Sequence, residues 1–263
     1  GRGAEGAALR LLCVPWAGAG AAAYAGWEAH LPAGVELVRL QPPGREGRVA
    51  EPCPRSLREV AARAVEAVGE ILDEGPWAVF AHGTGTWLAF ELLLAAQAAG
   101  HAQPLLFMAS NFPSPLCPRR AFLPEAFGAL SEGELKAELA KWGLPPRLLE
   151  PMEWSQLGAW VREEYARLDG FHTLQGGPGE APRFTCRFAA FLSQGDPVVG
   201  PNAEQGRPEL MEGWGALSTH AHMTVDVFHG DHFYLQDPDV HGVVAEAAAG
   251  YCQELVDLLD FDA

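Results

Sequence analysis

The chain has 263 residues, of which 48% are hydrophobic and 20% charged, so it is long enough to bury a large core within one α/β unit. Its formal net charge of -16 argues against binding to nucleic acid or to an anionic membrane surface, because both need clustered lysine and arginine side chains. No apolar run reaches the roughly 18 residues of a membrane span, and the first residues lack the pattern of a signal peptide.

The cysteines and histidines give no sign of a disulfide framework or a metal centre. The five cysteines are odd in number and widely spaced, which is typical of reduced thiols in an intracellular protein. We therefore expect a cytoplasmic location, or a plastid one if a transit peptide has been removed. His220 with His222, and His229 with His232, form two short pairs without a third ligand nearby in the sequence, so we expect no metal site.

Six short apolar runs, each bounded by turn-forming residues, have the length and composition of β-strands. They cover residues 9–15, 35–40, 77–81, 104–109, 184–192 and 223–228. Helical patterns cover residues 24–30, 56–72, 86–99 and 240–259. Ser56 and Glu59 have the spacing of a capping box at the start of the second helix. The alternation predicts an α/β fold, with a mainly parallel central sheet and helices on both faces.

The alternation stops between about residues 113 and 180, where proline, glutamate and short helical patterns dominate. Large apolar side chains in this stretch, such as Trp142 and Trp160, favour a packed insertion over a solvated linker. We therefore expect an α/β-hydrolase core formed by residues 1–112 and 181–263, with residues 113–180 inserted as a helical cap, or lid.

The third predicted strand leads into a tight turn, AHGTG, at residues 81–85. In many α/β hydrolases such a turn carries a nucleophilic serine at the position that Gly83 occupies here. An acid after a later strand and a histidine after the last strand are then expected, and Asp196 and His232 follow in that order. All three follow the carboxyl ends of parallel strands, so we expect them at one edge of the sheet. The pattern predicts a hydrolytic site without its nucleophile.

A dinucleotide site is the competing interpretation of the glycine-rich segment after the first strand. Residues 18–23 formally match G-x-G-x-x-A. The second predicted strand ends in LQPP, however, and carries no acid to hold a ribose. We expect no cofactor in this protein.

The motifs resemble those of the type II (external) thioesterases of polyketide and nonribosomal peptide synthesis. They are also similar to those of the medium-chain acyl thioesterase that acts with animal fatty acid synthase. The resemblance covers residues 8 to 258 approximately. The matching segments are CVPWAGAGAAAYAGW, LQPPGREGRVAEP, FAHGTGTWLAFELL, ARLDGF, QGDPVV and HGDHFYL. Pro42 stands where the family's L-P-G-R-E-x-R segment begins with leucine, and Gly83 stands at its serine.

The resemblance implies a substrate and a set of roles. Members of the family hydrolyse acyl thioesters held on the phosphopantetheine arm of acyl carrier proteins. His232 would be the general base and Asp196 the carboxylate that orients it. The backbone N–H groups of Ala17 and Thr84 would form the oxyanion hole, where side-chain identity matters little.

Three explanations of Gly83 remain open at the level of sequence. It could be an introduced replacement of serine in an otherwise functional enzyme, or the mark of a natural pseudoenzyme that binds acyl chains or carrier proteins. A third possibility is a displaced nucleophile, namely Thr84, Thr86 or Ser110. Position disfavours the third, because only one side chain of such a turn points into the site. In each of the first two cases we expect the chain to be inactive or very slow.

A carrier protein is usually acidic, so a chain with a net charge of -16 needs local basic patches for docking. The candidates are Arg45 and Arg48 in the PPGREGR segment, and Arg119 and Arg120 at the start of the predicted cap. For Arg45 we also expect a structural role, such as pairing with Glu46 or a backbone carbonyl.

Overall fold

The structure is a computed structural model that describes residues 6–123, 127–169, 181–204 and 206–261. Six strands form one sheet: β1 (Leu9–Val14), β2 (Val35–Arg39), β3 (Trp77–His82), β4 (Leu106–Ser110), β5 (Arg187–Ser193) and β6 (Thr224–Phe228). Their order is β2-β1-β3-β4-β5-β6, and every neighbouring pair is parallel. The predicted α/β fold with a parallel central sheet is thereby confirmed.

Within the described ranges, six α-helices accompany the sheet: α1 (Leu57–Asp73), α2 (Gly85–Ala99), α3 (Glu132–Lys141), α4 (Pro151–Asp169), α5 (Glu212–Gly215) and α6 (Pro238–Phe261). The central strands β1, β3 and β4 are buried along their whole length, because helices cover both faces of the sheet. None of the helices within the described ranges is long and apolar enough to cross a membrane.

Two local expectations differ from the structure. Residues 24–30 form no α-helix. Two short 3₁₀ helices, Ala21–Tyr24 and Trp27–Ala29, lie there instead, separated by Gly26 in the left-handed conformation at φ +90°. Ser56 caps α1 as predicted, but the Glu59 carboxylate accepts from the N–H of Arg55 rather than from that of Ser56. Only half of the capping box therefore forms.

The carboxyl ends of the parallel strands meet at one edge of the sheet, as the topology requires. The loop after β1 (residues 15–20, the β1 loop), the turn between β3 and α2, and the segments after β5 and β6 all lie there. Helices α3 and α4 come between β4 and β5 in the chain, and their side chains border the same edge.

Candidate active site

The turn after β3 holds Gly83 in a left-handed conformation, with φ +53°. Its N–H donates to the carbonyl of Ser110, and its own carbonyl accepts from the N–H and the hydroxyl of Thr86. Gly85 has no room for a side chain, since an added Cβ would lie 2.4 Å from the carbonyl oxygen of Pro15. The absence of a side chain at Gly85 thus lets the turn and the β1 loop approach each other closely.

His232 and Asp196 form a buried pair beside this turn. Nδ1 of His232 lies 2.7 Å from Oδ2 of Asp196, and the two residues are 3% and 0% exposed. The other carboxylate oxygen accepts from the N–H groups of Val198 and Val199, at 2.7 and 2.8 Å. Because a carboxylate only accepts, Nδ1 carries the proton in this contact, and Nε2 is the ring nitrogen on the side of the turn.

The geometry points Nε2 of His232 at the position of a side chain on Gly83. A Cβ built on Gly83 would lie 3.4 Å from that nitrogen and 3.3 Å from Cβ of Trp16. The structure therefore brings together Gly83, Asp196 and His232, which the sequence places far apart.

The predicted oxyanion donors lie at the same place. Ala17 and Thr84 line one cavity together with His232. Within the described part of the chain, neither backbone N–H has an acceptor. Thr84 is also the N-cap of α2, so the positive end of the helix dipole adds to the attraction for negative charge.

Aromatic rings enclose His232 on several sides. The ring of Trp142 has its centroid 4.8 Å away, and that of Phe233 5.1 Å away. The carbonyl of Trp142 also accepts the backbone N–H of His232. The sequence did not identify Trp142 as a site residue, because Trp142 follows α3 and lies far along the chain from Gly83, Asp196 and His232.

His82 is a second buried histidine, which the sequence did not single out. Its ring centroid is 5.3 Å from that of His232, and its Nδ1 lies 2.8 Å from the hydroxyl of Ser110. Burial lowers the pKa of His82 well below its usual range, and a positive charge on the neighbouring His232 would lower it further. His82 is therefore neutral in the folded protein.

Two of the three side chains considered as alternative nucleophiles, those of Thr86 and Ser110, have other hydrogen-bond partners. The hydroxyl of Thr86 donates to the carbonyl of Gly83 at 2.8 Å, and that of Ser110 lies between His82 and the hydroxyl of Tyr234. No hydrogen bond joins Thr84, Thr86 or Ser110 to His232 among the described residues. Neither Thr86 nor Ser110 is thus poised for activation by that base.

A cavity of about 540 Å³ opens from His232 and Thr84 toward α4. Aliphatic side chains of the segment between β4 and β5 form much of its wall, namely Leu139, Leu144, Leu148, Leu157 and Val161. Polar groups at the lining include Glu46, Glu153, Gln156 and Gln236. A cavity of this size and composition suits an apolar chain that ends beside His232.

The candidate docking arginines occupy different environments. Arg45 is 1% exposed, pairs with Glu164 at 3.1 Å and donates to the carbonyl of Trp160. This placement contradicts a docking role for Arg45, because a buried guanidinium cannot reach a partner, and it agrees with pairing to a carbonyl. Arg48 lies on the surface beside Glu51.

Arg119 forms an ion pair with Asp169 at the end of α4. The side chain of Arg120 lies outside the part of the chain whose side chains are described.

Known proteins share the family and the fold of this chain. The family model of the thioesterase domain matches residues 9–249. The medium-chain S-acyl fatty acid synthase thioesterase of Rattus norvegicus is 26% identical over 253 residues, covering 96% of this chain and 90% of that protein. The thioesterase PikA5 of Streptomyces venezuelae is 29% identical over 237 residues, covering 89% and 78%. The solved structure of the type II thioesterase BorB, from the borrelidin biosynthetic cluster, has a TM-score of 0.75 at 26% identity, covering 97% and 95%. The chain belongs to the thioesterase domain family, and its relatives include type II thioesterases and the medium-chain fatty acid synthase enzymes.

Proposed function

We propose that this chain carries the site of a serine-type thioesterase that hydrolyses acyl thioesters from the phosphopantetheine arm of an acyl carrier protein. This chain lacks the serine nucleophile, so we expect it to hydrolyse such thioesters very slowly or not at all. The observation that carries the proposal is the 3.4 Å between Nε2 of His232 and a Cβ built on Gly83. A serine at that position would have its hydroxyl within reach of the base.

The roles follow from the hydrogen bonds. With a serine present, His232 would take the hydroxyl proton as oxygen attacks the thioester carbonyl, and Asp196 would stabilise the imidazolium. The N–H groups of Ala17 and Thr84 would hold the oxyanion. The thiol would leave with the proton from His232, and water would release the acid in a second round.

With glycine at the turn, water is the nucleophile that His232 can activate directly. His232 removes a proton from water as the water oxygen adds to the thioester carbonyl. The C–S bond then breaks and the leaving sulfur takes that proton from His232, which gives the acid and the thiol. Loss of a triad serine typically removes about 10⁴- to 10⁶-fold in turnover, while the oxyanion hole and binding retain about 10³-fold over water. The expected rate is therefore low but above background.

The substrate proposal rests on the cavity and on the relatives. The aliphatic wall of the cavity suits an acyl chain. By their names, relatives include a fatty acid synthase thioesterase and a gramicidin S biosynthesis protein. We place the acyl chain between α4 and the β1 loop, with residues 113–180 acting as the cap over it. With Arg45 buried, the arginines proposed to contact the carrier protein are Arg48, Arg119 and Arg120.

A second candidate is a pseudo-thioesterase that binds acyl chains or carrier proteins without turnover. The left-handed φ of +53° at Gly83 favours it, because glycine adopts that conformation without steric cost. A protein that needs no nucleophile would be more stable with glycine at this position than with serine.

The test compares this chain with Gly83→Ser and Gly83→Ala on one acyl thioester of a carrier protein. We expect Gly83→Ser to raise hydrolysis by about 10⁴-fold or more and to show a burst with a covalent acyl-enzyme by intact mass. Gly83→Ala matches the added Cβ but has no hydroxyl, so it should stay as slow as the parent.

The base is tested separately with His232→Ala. The slow hydrolysis by the glycine form should fall further when His232 is replaced, because water then lacks its base. An unchanged rate and no acyl-enzyme with Gly83→Ser would refute the proposed triad. If Gly83→Ser shows neither a faster rate nor an acyl-enzyme but binds the acylated carrier protein tightly, the pseudo-thioesterase is favoured.

A further inference from the structure

The β1 loop packs directly on α4, at the residue that follows a proposed oxyanion donor. Gly18 has φ +82°, and a Cβ added there would lie 2.5 Å from Cδ1 of Leu157 and 3.0 Å from Cγ2 of Val161. Both side chains belong to α4. The position of the β1 loop is therefore linked to the position of this helix.

Glu164 makes the link polar as well as steric. Its Oε2 accepts the backbone N–H of Gly18 at 2.6 Å, although the two residues are 146 positions apart. Glu164 is 8% exposed. A hydrogen bond this short to a carboxylate is of the charge-assisted kind, which is stronger than a bond between neutral groups.

Arg45 holds the same carboxylate oxygen from the other side. Its Nη2 lies 3.1 Å from Oε2 of Glu164 and also donates to the carbonyl of Trp160, one turn earlier in α4. The guanidinium carbon lies 5.2 Å from the ring centroid of Trp160. A buried carboxylate without a partner would destabilise the fold, and the ion pair with Arg45 offsets this free-energy cost for Glu164.

The bond bears on the oxyanion hole through the backbone. The N–H of Gly18 belongs to the peptide unit that begins at Ala17, so holding this N–H fixes the orientation of the peptide unit next to the Ala17 N–H. Ala17 and Gly18 both line the cavity beside His232. A loop released from Glu164 could turn the Ala17 N–H away from the thioester carbonyl.

We propose that Glu164 is a positioning residue that holds the β1 loop from α4 so that the Ala17 N–H stays aimed at the reacting carbonyl. The inference rests on the proposed function, because it concerns the oxyanion hole of that reaction.

The kinetic test uses the Gly83→Ser background, where turnover is measurable. Glu164→Ala should lower kcat by about 10-fold or more with KM changed by less than about 3-fold, because a misplaced donor affects the transition state above all. Glu164→Gln should recover most of kcat, since an amide oxygen can accept from Gly18. The control is Glu163→Ala, a half-exposed neighbour on α4, which should leave both constants unchanged.

A second readout does not depend on turnover. In the unmodified chain, the amide proton of Gly18 should resonate strongly downfield and should move upfield in Glu164→Ala. An unmoved Gly18 resonance overturns the inference, and so does a kcat of Glu164→Ala equal to that of the control. If Gly83→Ser shows no turnover, the proposed function fails, and the Gly18 resonance alone then decides whether Glu164 holds the loop. Should Glu164→Ala fail to fold, Glu164→Gln decides by the Gly18 resonance: a smaller upfield move supports the inference, because the acceptor is then neutral, and an unmoved resonance overturns it.

Discussion

Placing a side chain at position 83 should lower the stability of the fold, even where a serine there supplies a nucleophile. A residue with a Cβ in the left-handed region loses about 1–2 kcal/mol, while removing glycine from the unfolded chain returns about 0.4–1 kcal/mol. The new Cβ also lies 3.3 Å from Cβ of Trp16, which is a tight contact. We therefore expect Gly83→Ala to lower the free energy of unfolding by about 1 kcal/mol.

Serine should lose less than alanine, because its hydroxyl can donate to Nε2 of His232. A hydrogen bond of this kind contributes about 0.5–1.5 kcal/mol net. The free energy of unfolding should thus fall in the order Gly83, Gly83→Ser, Gly83→Ala. For a chain of this length, each kcal/mol corresponds to about 2–4 °C in Tm.

The assay is urea unfolding of the three forms, repeated in a His232→Ala background. The gap between serine and alanine should close there, since the acceptor is gone, and this double-mutant cycle isolates the Ser–His contact. If Gly83→Ala is as stable as Gly83→Ser while His232 is still present, the proposed contact between the serine hydroxyl and Nε2 of His232 is refuted. Both variants exceeding the parent in stability would refute the strain assigned to Gly83.

Three further predictions concern the frame of the site. Gly85→Ala should lower the free energy of unfolding by about 1–3 kcal/mol or more, because the new Cβ would meet the rigid carbonyl of Pro15. The control Gly250→Ala adds a Cβ into open space on α6 and should raise the free energy of unfolding by about 0.5–1 kcal/mol. Equal effects in thermal unfolding would contradict this reasoning. The pKa of His82 is lower in the folded than in the unfolded chain, so on acidification the unfolded chain takes up a proton at this histidine first. The free energy of unfolding should therefore fall as the pH drops below about 6.5, by at most about 1.4 kcal/mol per pH unit. His82→Asn should flatten that slope in urea titrations, and an unchanged slope would count against a neutral buried His82. In the background that carries the serine, Asp196→Asn should reduce kcat by about 10⁴-fold with the fold intact, since an amide favours the wrong tautomer of the histidine. A loss below about 10-fold would remove Asp196 from the orienting role.

The sheet and the order of the site residues could be predicted because they depend on local patterns and one topological rule. Apolar runs of strand length define the six strands, and parallel strands send their carboxyl ends to one edge. Asp196 and His232 could therefore be placed beside Gly83 before any distance was known. The structure adds the 2.7 Å contact between them.

The contacts between α4 and the β1 loop could not be predicted in this way. Glu164 on a helix and Arg45 in a loop are residue types that usually lie on the surface. Their pairing depends on how the segment between β4 and β5 settles on the core, and no local period encodes it. The failed helix at residues 24–30 is a smaller case, where Gly26 in a left-handed conformation overrides an apolar pattern.

The cost of the buried polar groups bears on which function this chain performs. Asp196 and Glu164 are carboxylates inside the fold, and burial raises the pKa of Glu164 in opposition to Arg45. Replacing such buried pairs with apolar residues is often neutral or stabilising, so a module that only binds an apolar chain has no need of them. Here each carboxylate instead accepts a hydrogen bond from a residue that lines the cavity, Asp196 from His232 and Glu164 from the N–H of Gly18. A framework that aims a base and an N–H donor at one point is suited to a reacting carbonyl, and it favours water-driven or serine-driven hydrolysis over binding alone.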